Sequence, residues 1–298
     1  MALKIGVIGI AGRWSTDVLA AAVVKATGSC LVIDLGKCLL DFETKSVWMG
    51  DINLCTFDAI IVKKLAPEYS PHLFERIEML YALESAGVRV FSPASAMAAL
   101  IDRAMGSRRL RDAGIALPPT VLTEDLEAAK SAVRRFGEVV AKPLYSTKAR
   151  GMRLIRNGPM LHEQLEAFQR DQNPVMYLQK RMALPGRDLG VVFLGGKYLA
   201  TYARVQAPGA WNTTTADGGR YEAHEPSGSV IEVATCAQAA FGLDFTCVDV
   251  LESEAGPLVF EVSAFGGFRG LYDACKIDVA ALYVAHVLKQ VQHAGARN

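Results

Sequence analysis

The chain has 298 residues, 51% of them hydrophobic, with 32 Lys and Arg against 31 Asp and Glu and a net charge of +1. That length can bury a large core and suggests about two domains. Scattered basic residues leave no nucleic-acid footprint, and no apolar run is long and uninterrupted enough to span a bilayer.

MALKIGVIGIAG has a lone lysine and an apolar run ended by glycines, which reads as a first strand rather than a signal peptide. A helical segment at about 15–27 separates it from a second strand, 29–34. FDAIIVKK (57–64) is a third strand, 71–87 a helix ending in glycine, and VRVF (88–91) a fourth strand. Ser92-Pro93 then opens a helix as cap and first residue. This βαβ alternation predicts a parallel α/β domain over 1–95. Gly6, Gly9 and Gly12, with Asp34 ending the next strand, resemble a dinucleotide fingerprint that would make the chain an NAD-binding oxidoreductase. The spacing is G-x-x-G-x-x-G, however, and a glycine turn that packs helix on strand explains it as well.

From about 102 the pattern changes to α+β. A helix (102–113) ends at Gly114, LPPTVL leads to a strand, and Thr123 caps a helix over 124–136. EVVAKPL (138–144) and GMRLI (151–155) are strands, followed by a helix at 160–170 and the strand VMYLQKRM (175–182). Lys142 ends an apolar strand, where an unpaired ammonium is costly, and Pro143 stops the ladder. Ser146, Thr147, Lys148, Arg150 and Gly151 follow in a loop able to present N–H groups and cations to a polyphosphate. A snorkelling lysine beside a polar hairpin tip is the alternative. Gln179, Lys180, Arg181 and Met182 offer main-chain groups to a purine, and Asp188 offers a carboxylate to a ribose.

Strands at 187–194 and 197–206 precede a long polar loop (207–228) and a helix (229–241). The loop is of a length usually functional; Asn212, Thr213 and, further on, Arg269 are candidates for substrate binding, and Arg204 lies on an apolar strand. A hairpin of 245–251 and 258–263 turns through Glu-Ser-Glu-Ala-Gly-Pro, and a last helix spans 278–292. If the hairpin is symmetric about Ala255, Asp249 faces Glu261, and alternation puts Ser263 on the Glu261 face. Opposed like charges destabilise a sheet. A divalent cation resolves this, and Mg²⁺ takes one or two carboxylates plus phosphate oxygens; the alternative is two solvated acids.

The six cysteines form no C-x-x-C pair and the five histidines no motif, so a zinc cluster is not expected and a cytoplasmic location is. No Ser-His-Asp or G-x-S-x-G arrangement supports nucleophilic hydrolysis.

Taken in order from FDAIIVKK to the last helix, these pieces resemble the RimK-like ligases of the ATP-grasp superfamily, and within it the ATP-grasp proteins of the so-called GAK systems. IDRAMGSRRLRDAGIALPPT looks like the family's Asp-Lys…Gly-Ile-Pro segment with Arg103 in place of its nucleotide-contacting lysine. Lys142 and STKARGM fall on its phosphate lysine and flexible glycine loop. VDVL…VFEVSAFGGFRG falls on its metal segment, with Ser263 in place of asparagine and Gly-Gly-Phe-Arg in place of Pro-Gly-x-Glu.

The resemblance implies an α/β pre-ATP-grasp domain (1–95), a small lid subdomain with central helices (96–182) and a metal and substrate subdomain (183–298), the last two clamping ATP. It also implies ATP with Mg²⁺, or alternatively Mn²⁺, held by Asp249, Glu261 and Ser263. Lys142 would sit on the phosphates, and Arg204 on the acyl phosphate of a carboxylate–amine ligation. Small-molecule or peptide acids and amines are the implied partners, and a homo-oligomer stays open. A phosphotransferase or a non-catalytic ATP-binding protein would use the same clamp.

Overall fold

β1 (Ile5–Ile8) is buried along its whole length, as a parallel strand covered on both faces must be. The computed structural model describes residues 3–147 and 149–295. From β1 the chain runs through α1 (Trp14–Thr27) to β2 (Leu31–Ile33). Next comes an antiparallel meander, β3 (Cys38–Asp41), β4 (Ser46–Met49) and β5 (Ile52–Asn53). The βαβ reading does not anticipate this meander. Its inner residues Cys38, Leu40 and Met49 pack on the core, but Leu39 and Phe42 are exposed, which blurs the alternation that marks a strand.

β6 (Ala59–Val62), α2 (Leu73–Ser85) and β7 (Arg89–Phe91) complete a parallel sheet of order β2-β1-β6-β7. Its crevice opens where β1 and β6 end, at residues 9–13 and 63–69. Gly9 serves packing, since a Cβ on it would meet the Thr16 side chain at 2.6 Å, while Gly12 supplies a turn with φ 75°; Asp34 accepts the N–H of Gly36 at 2.9 Å. The acid that would hold a ribose therefore caps its own turn.

α3 (Ala94–Ile101) and α4 (Arg103–Asp112) meet at a corner. The cap of α3 is Pro93, not Ser92, whose hydroxyl instead accepts the N–H of Asp244 at 2.8 Å. At the corner Asp102 caps α4 through the N–H groups of Ala104 and Met105. β8 (Thr120–Thr123), α5 (Leu126–Phe136), β9 (Glu138–Lys142), β10 (Arg153–Arg156), α6 (Leu161–Arg170) and β11 (Met176–Lys180) form an antiparallel sheet of order β10-β9-β11-β8. Asp125, rather than Thr123, caps α5, accepting from Ala128 at 2.7 Å. The two helices bury Val133, Leu165 and Phe168 against Val139, Ala141 and Leu178, so alternation directs Lys142, Tyr177 and Gln179 to the opposite face.

The remaining strands are β12 (Arg187–Leu194), β13 (Lys197–Val205), β14 (Arg220–Ala223), β15 (Phe245–Ser253) and β16 (Gly256–Ser263), paired in the order β14-β13-β12-β15-β16. α7 (Gly228–Ala239) covers one face, packing Val230, Ala234 and Ala237 on Val191, Val248 and Val250. The other face carries Asp188, Arg204, Asp249, Glu261 and Ser263. α8 (Arg269–Asp273) and α9 (Val279–Gly295) return to the first sheet, where Val279 and Tyr283 share a core with Val7, Leu19 and Val23. No helix among the described residues is long and apolar enough to cross a membrane.

Candidate active site

Asp249 and Glu261 are directly opposite each other across β15 and β16. The register arises in two steps. Ser253 pairs with Gly256 around a two-residue turn, and that count continues to Val250 and Val259. Phe260 is then one extra residue, a bulge, so Asp249 meets Glu261 and Cys247 meets Ser263. The sequence reading, symmetric about Ala255, arrives at the same pair without the bulge.

Arginines answer both acids. The Arg103 guanidinium lies 2.6 Å from Glu261 and also reaches the carbonyls of Pro143 and Ser146, both at 3.4 Å. It ties the corner of α4 to the loop after β9 and to β16. Arg204 forks onto Asp188 and donates to Asp249 at 3.0 Å. Gly190 pairs with both Tyr202 and Asp249, and a Cβ there would meet the Tyr202 ring at 2.5 Å, so glycine is what lets that ring lie across β12. Burial pushes Asp249 up to about 6 against the pull of Arg204. Burial also works against the Glu261 carboxylate, but Arg103 and Lys142 outweigh it and hold its pKa below the usual value.

Lys142 is buried, and its Nζ donates to Gln179 Oε1 at 2.6 Å. The Gln179 amide is itself oriented by Thr120 and Tyr177, and Tyr177 bonds Ser107 at 2.8 Å. Burial, then Arg103, lowers the Lys142 pKa to about 7, with Glu261, Asp249 and Asp188 pulling the other way. Between about pH 7 and its free value near 10.5 the folded protein therefore binds fewer protons here than the unfolded chain, so stability rises with pH across that window. The expected result is a melting midpoint that climbs between pH 7 and 9 and climbs less in Lys142→Met; equal slopes would contradict the buried-ammonium assignment.

The other candidate residues divide. Ser146 and Thr147 line a cavity of about 70 Å³ together with Tyr69, Arg103, Glu261 and Ser263. Gly151 has φ 71° and sits against Pro143; Lys148 lies outside the described residues. Lys180 is exposed and donates its N–H to Pro119 O at 2.7 Å. Arg181 pairs with Glu138 at 2.6 Å, which directs its side chain to β9, and Met182 follows in the connection to β12. Asp188 is engaged by Arg204 rather than free for a ribose. Asn212 bonds Asp217 and Thr214 inside its own loop, Thr213 is buried, and Arg269 stacks on Trp14 at 3.9 Å. These three are not drawn into the acidic cluster. The sequence reading passed over Phe260, whose ring is 5.6 Å from Lys142 Nζ, and Tyr69, for which the sequence offers no signal.

Among the described residues no cluster of three or more His, Cys, Asp or Glu is placed to hold a metal by itself. Two facing carboxylates fit a hard cation that takes its remaining ligands from phosphate and water, with the Ser263 position next along the same strand face. Residues 96–182 carry fifteen Lys and Arg against nine Asp and Glu, so the positive charge lies with the sheet that bears Lys142.

Known proteins resemble this chain in sequence and in fold. The model of the RimK-like ATP-grasp domain matches residues 101–287. The tetrahydromethanopterin:alpha-L-glutamate ligase of Methanosarcina acetivorans is 25% identical over 269 residues, covering 81% of this chain and 83% of its own. A probable alpha-L-glutamate ligase of Cellvibrio japonicus is 26% identical over 292 residues, covering 96% and 95%. The structure of the ATP-grasp ligase PsnB, complexed with a phosphomimetic variant of its minimal precursor, Mg and ADP, superposes with a TM-score of 0.73 at 20% identity. It covers 97% of this chain and 99% of that one. The fold is thus the ATP-grasp fold, and the chain belongs to the RimK-like ATP-grasp family.

Proposed function

We propose that this chain is an ATP- and Mg²⁺-dependent carboxylate–amine ligase that works through an acyl phosphate. The observation that carries the reading is the convergence of Asp249 and Glu261, one opposite the other, with Arg204 and Lys142 on the facing surfaces of two sheets. A carboxylate is a poor electrophile, and transfer of the γ-phosphoryl group to it supplies a leaving group that an amine displaces. Phosphoryl transfer is chiefly a matter of positioning and charge, and these side chains supply both.

In this reading Asp249, Glu261 and Ser263 would hold Mg²⁺, which would supply charge neutralisation for the phosphates. Mn²⁺ would satisfy the same oxygens. Lys142, kept in place by Gln179, neutralises phosphate oxygens. Arg103, 2.6 Å from Glu261, would be placed to neutralise phosphate beside that carboxylate. Arg204 stays on Asp188 and turns its remaining N–H groups to the acyl phosphate. The 145–151 loop, with the small sheet of 96–182, closes over the nucleotide and excludes water. Ligand pockets usually exceed about 300 Å³, and the cavity beside Glu261 and Ser263, at about 70 Å³, is too small for a nucleotide as it stands. Residues 1–95 and 183–298 then supply the rest of the substrate site.

Relatives named for glutamate ligation make L-glutamate the first amine to test. Incubation with MgATP, L-glutamate and pooled small acids or peptides, read by mass spectrometry, should yield ADP, phosphate and a product equal to acid plus amine minus water. A stable phosphorylated product without free phosphate would identify a phosphotransferase instead. Nucleotide binding with no turnover would identify a binding protein.

A further inference from the structure

Lys63 has no part in the chemistry above, yet it is a second lysine buried at the end of an apolar strand. It follows β6, and its N–H continues the ladder to Ile8 O at 2.8 Å. The side chain, 6% exposed, leaves the parallel sheet for the segment after β16. There Nζ donates to the carbonyl oxygens of Phe265, at 2.7 Å, and Gly266. It also lies 3.9 Å from the centre of the Phe268 ring. Two carbonyls and a π face satisfy an ammonium's three donors. Burial lowers its pKa to about 7, so these contacts are what make a lysine tolerable at this depth.

The segment it grips needs such a hold. Residues 264–268 join Ser263 to α8, and Ala264 and Phe265 line the cavity beside Glu261. Gly266-Gly267 has little stiffness of its own. The backbone is instead clamped from several sides. A Cβ on Gly266 would come within 2.4 Å of the Phe245 ring, and φ there is 38°. Tyr69 meets the Phe265 ring edge to face at 6.4 Å.

We propose that Lys63 is a positioning residue: from the parallel sheet it fixes the 264–268 segment, and with it Ser263 and the cavity wall where the carboxylate is phosphorylated. The functional half of this statement rests on the ligase reading; the structural half does not.

Hydrogen exchange on the full chain, on Lys63→Met and on Gly266→Ala separates the two. In the wild type the amides of Tyr272, Ala274 and Cys275, which donate to the carbonyls of Phe268, Gly270 and Leu271, should exchange at least about tenfold slower than an unprotected chain, and Lys63→Met should release them by about that factor while β15 stays protected. ADP release from MgATP with L-glutamate and pooled acids should show kcat down about tenfold or more, while the Kd for Mg·AMPPNP moves less than about twofold. Gly266→Ala, which strikes the same segment from the Phe245 side, should reproduce both effects. Wild-type exchange at the unprotected rate, or variants with unchanged exchange and unchanged kcat, would overturn the proposal. If Lys63→Met does not fold, Lys63→Gln, which leaves fewer donors for the Phe265 and Gly266 carbonyls, decides it by the same two readouts: a smaller shift of the same sign supports the role, and unchanged exchange and kcat overturn it. If no form binds AMPPNP or releases ADP, the ligase reading fails and the exchange data alone judge the positioning role.

Discussion

Glu261→Gln should lower ADP release from MgATP by about 10²–10³-fold, the size of loss seen when one preorganised electrostatic contact to a developing charge is removed. The substitution keeps shape and hydrogen-bonding capacity and deletes only charge. Arg103 loses its ion pair but keeps the carbonyls of Pro143 and Ser146, and the Glu261 side chain is 44% exposed, so circular dichroism should stay near wild type and the melting midpoint should fall less than in Arg204→Met. A second reading of the same variant isolates the cation. Mg²⁺ should strengthen ADP binding to the wild type, and this gain should shrink in Glu261→Gln, where Asp249 is left as the one carboxylate of the facing pair. Unchanged ADP release would sink the metal assignment. An equal loss of ADP affinity with and without Mg²⁺ would place Glu261 in nucleotide binding instead.

What the sequence made legible is what local chemistry can encode. A lysine ending an apolar strand and two acids inside an apolar hairpin conflict with burial, and the structure places Lys142, Asp249 and Glu261 among one another's charges. The match at the hairpin is partly fortunate: a shorter turn and the bulge at Phe260 cancel in the count. Bulges follow from tertiary packing, which period-two alternation does not contain. Lys63 carries the same signature as Lys142 in FDAIIVKK and was legible in principle.

The ion pairs were not legible. Arg103 meets Glu261 from 158 residues away in sequence, and no local pattern specifies such a partner. Asp188 reads as a ribose ligand while its neighbour strand is unknown; once Arg204 lies opposite it in the ladder, the carboxylate is claimed. Arg269 and Asn212 were singled out as polar groups in glycine-rich or long loops. Each instead finds a nearby partner, Trp14 and Asp217 respectively, because exposed polar side chains on loops have many cheap local solutions.

Arg204→Met is expected to damage both stability and turnover, and the two losses can be pulled apart. The guanidinium sits between Asp188 and Asp249, with side-chain exposures of 17%, 8% and 17%. Removing one partner of a buried ionic cluster leaves uncompensated charge and typically costs about 3–5 kcal/mol, so a clear drop in the denaturation midpoint should follow. Asp188→Asn in the same chain removes one of the stranded charges. The double variant should regain much of the lost stability, giving a coupling energy well outside additivity for distant sites. Turnover should not return with it. An arginine that stabilises a transferring phosphoryl group is worth about 10³–10⁵ in kcat, and asparagine at 188 supplies nothing in its place. Recovery of ADP release in the double variant would mean that Arg204 matters only as a structural counter-ion for Asp188. A folded double variant that binds Mg·AMPPNP but does not turn over would assign the guanidinium to the transferring group. Asp188→Asn alone tests the remaining reading: a selective loss of ATP affinity, with kcat retained, would return Asp188 to the ribose.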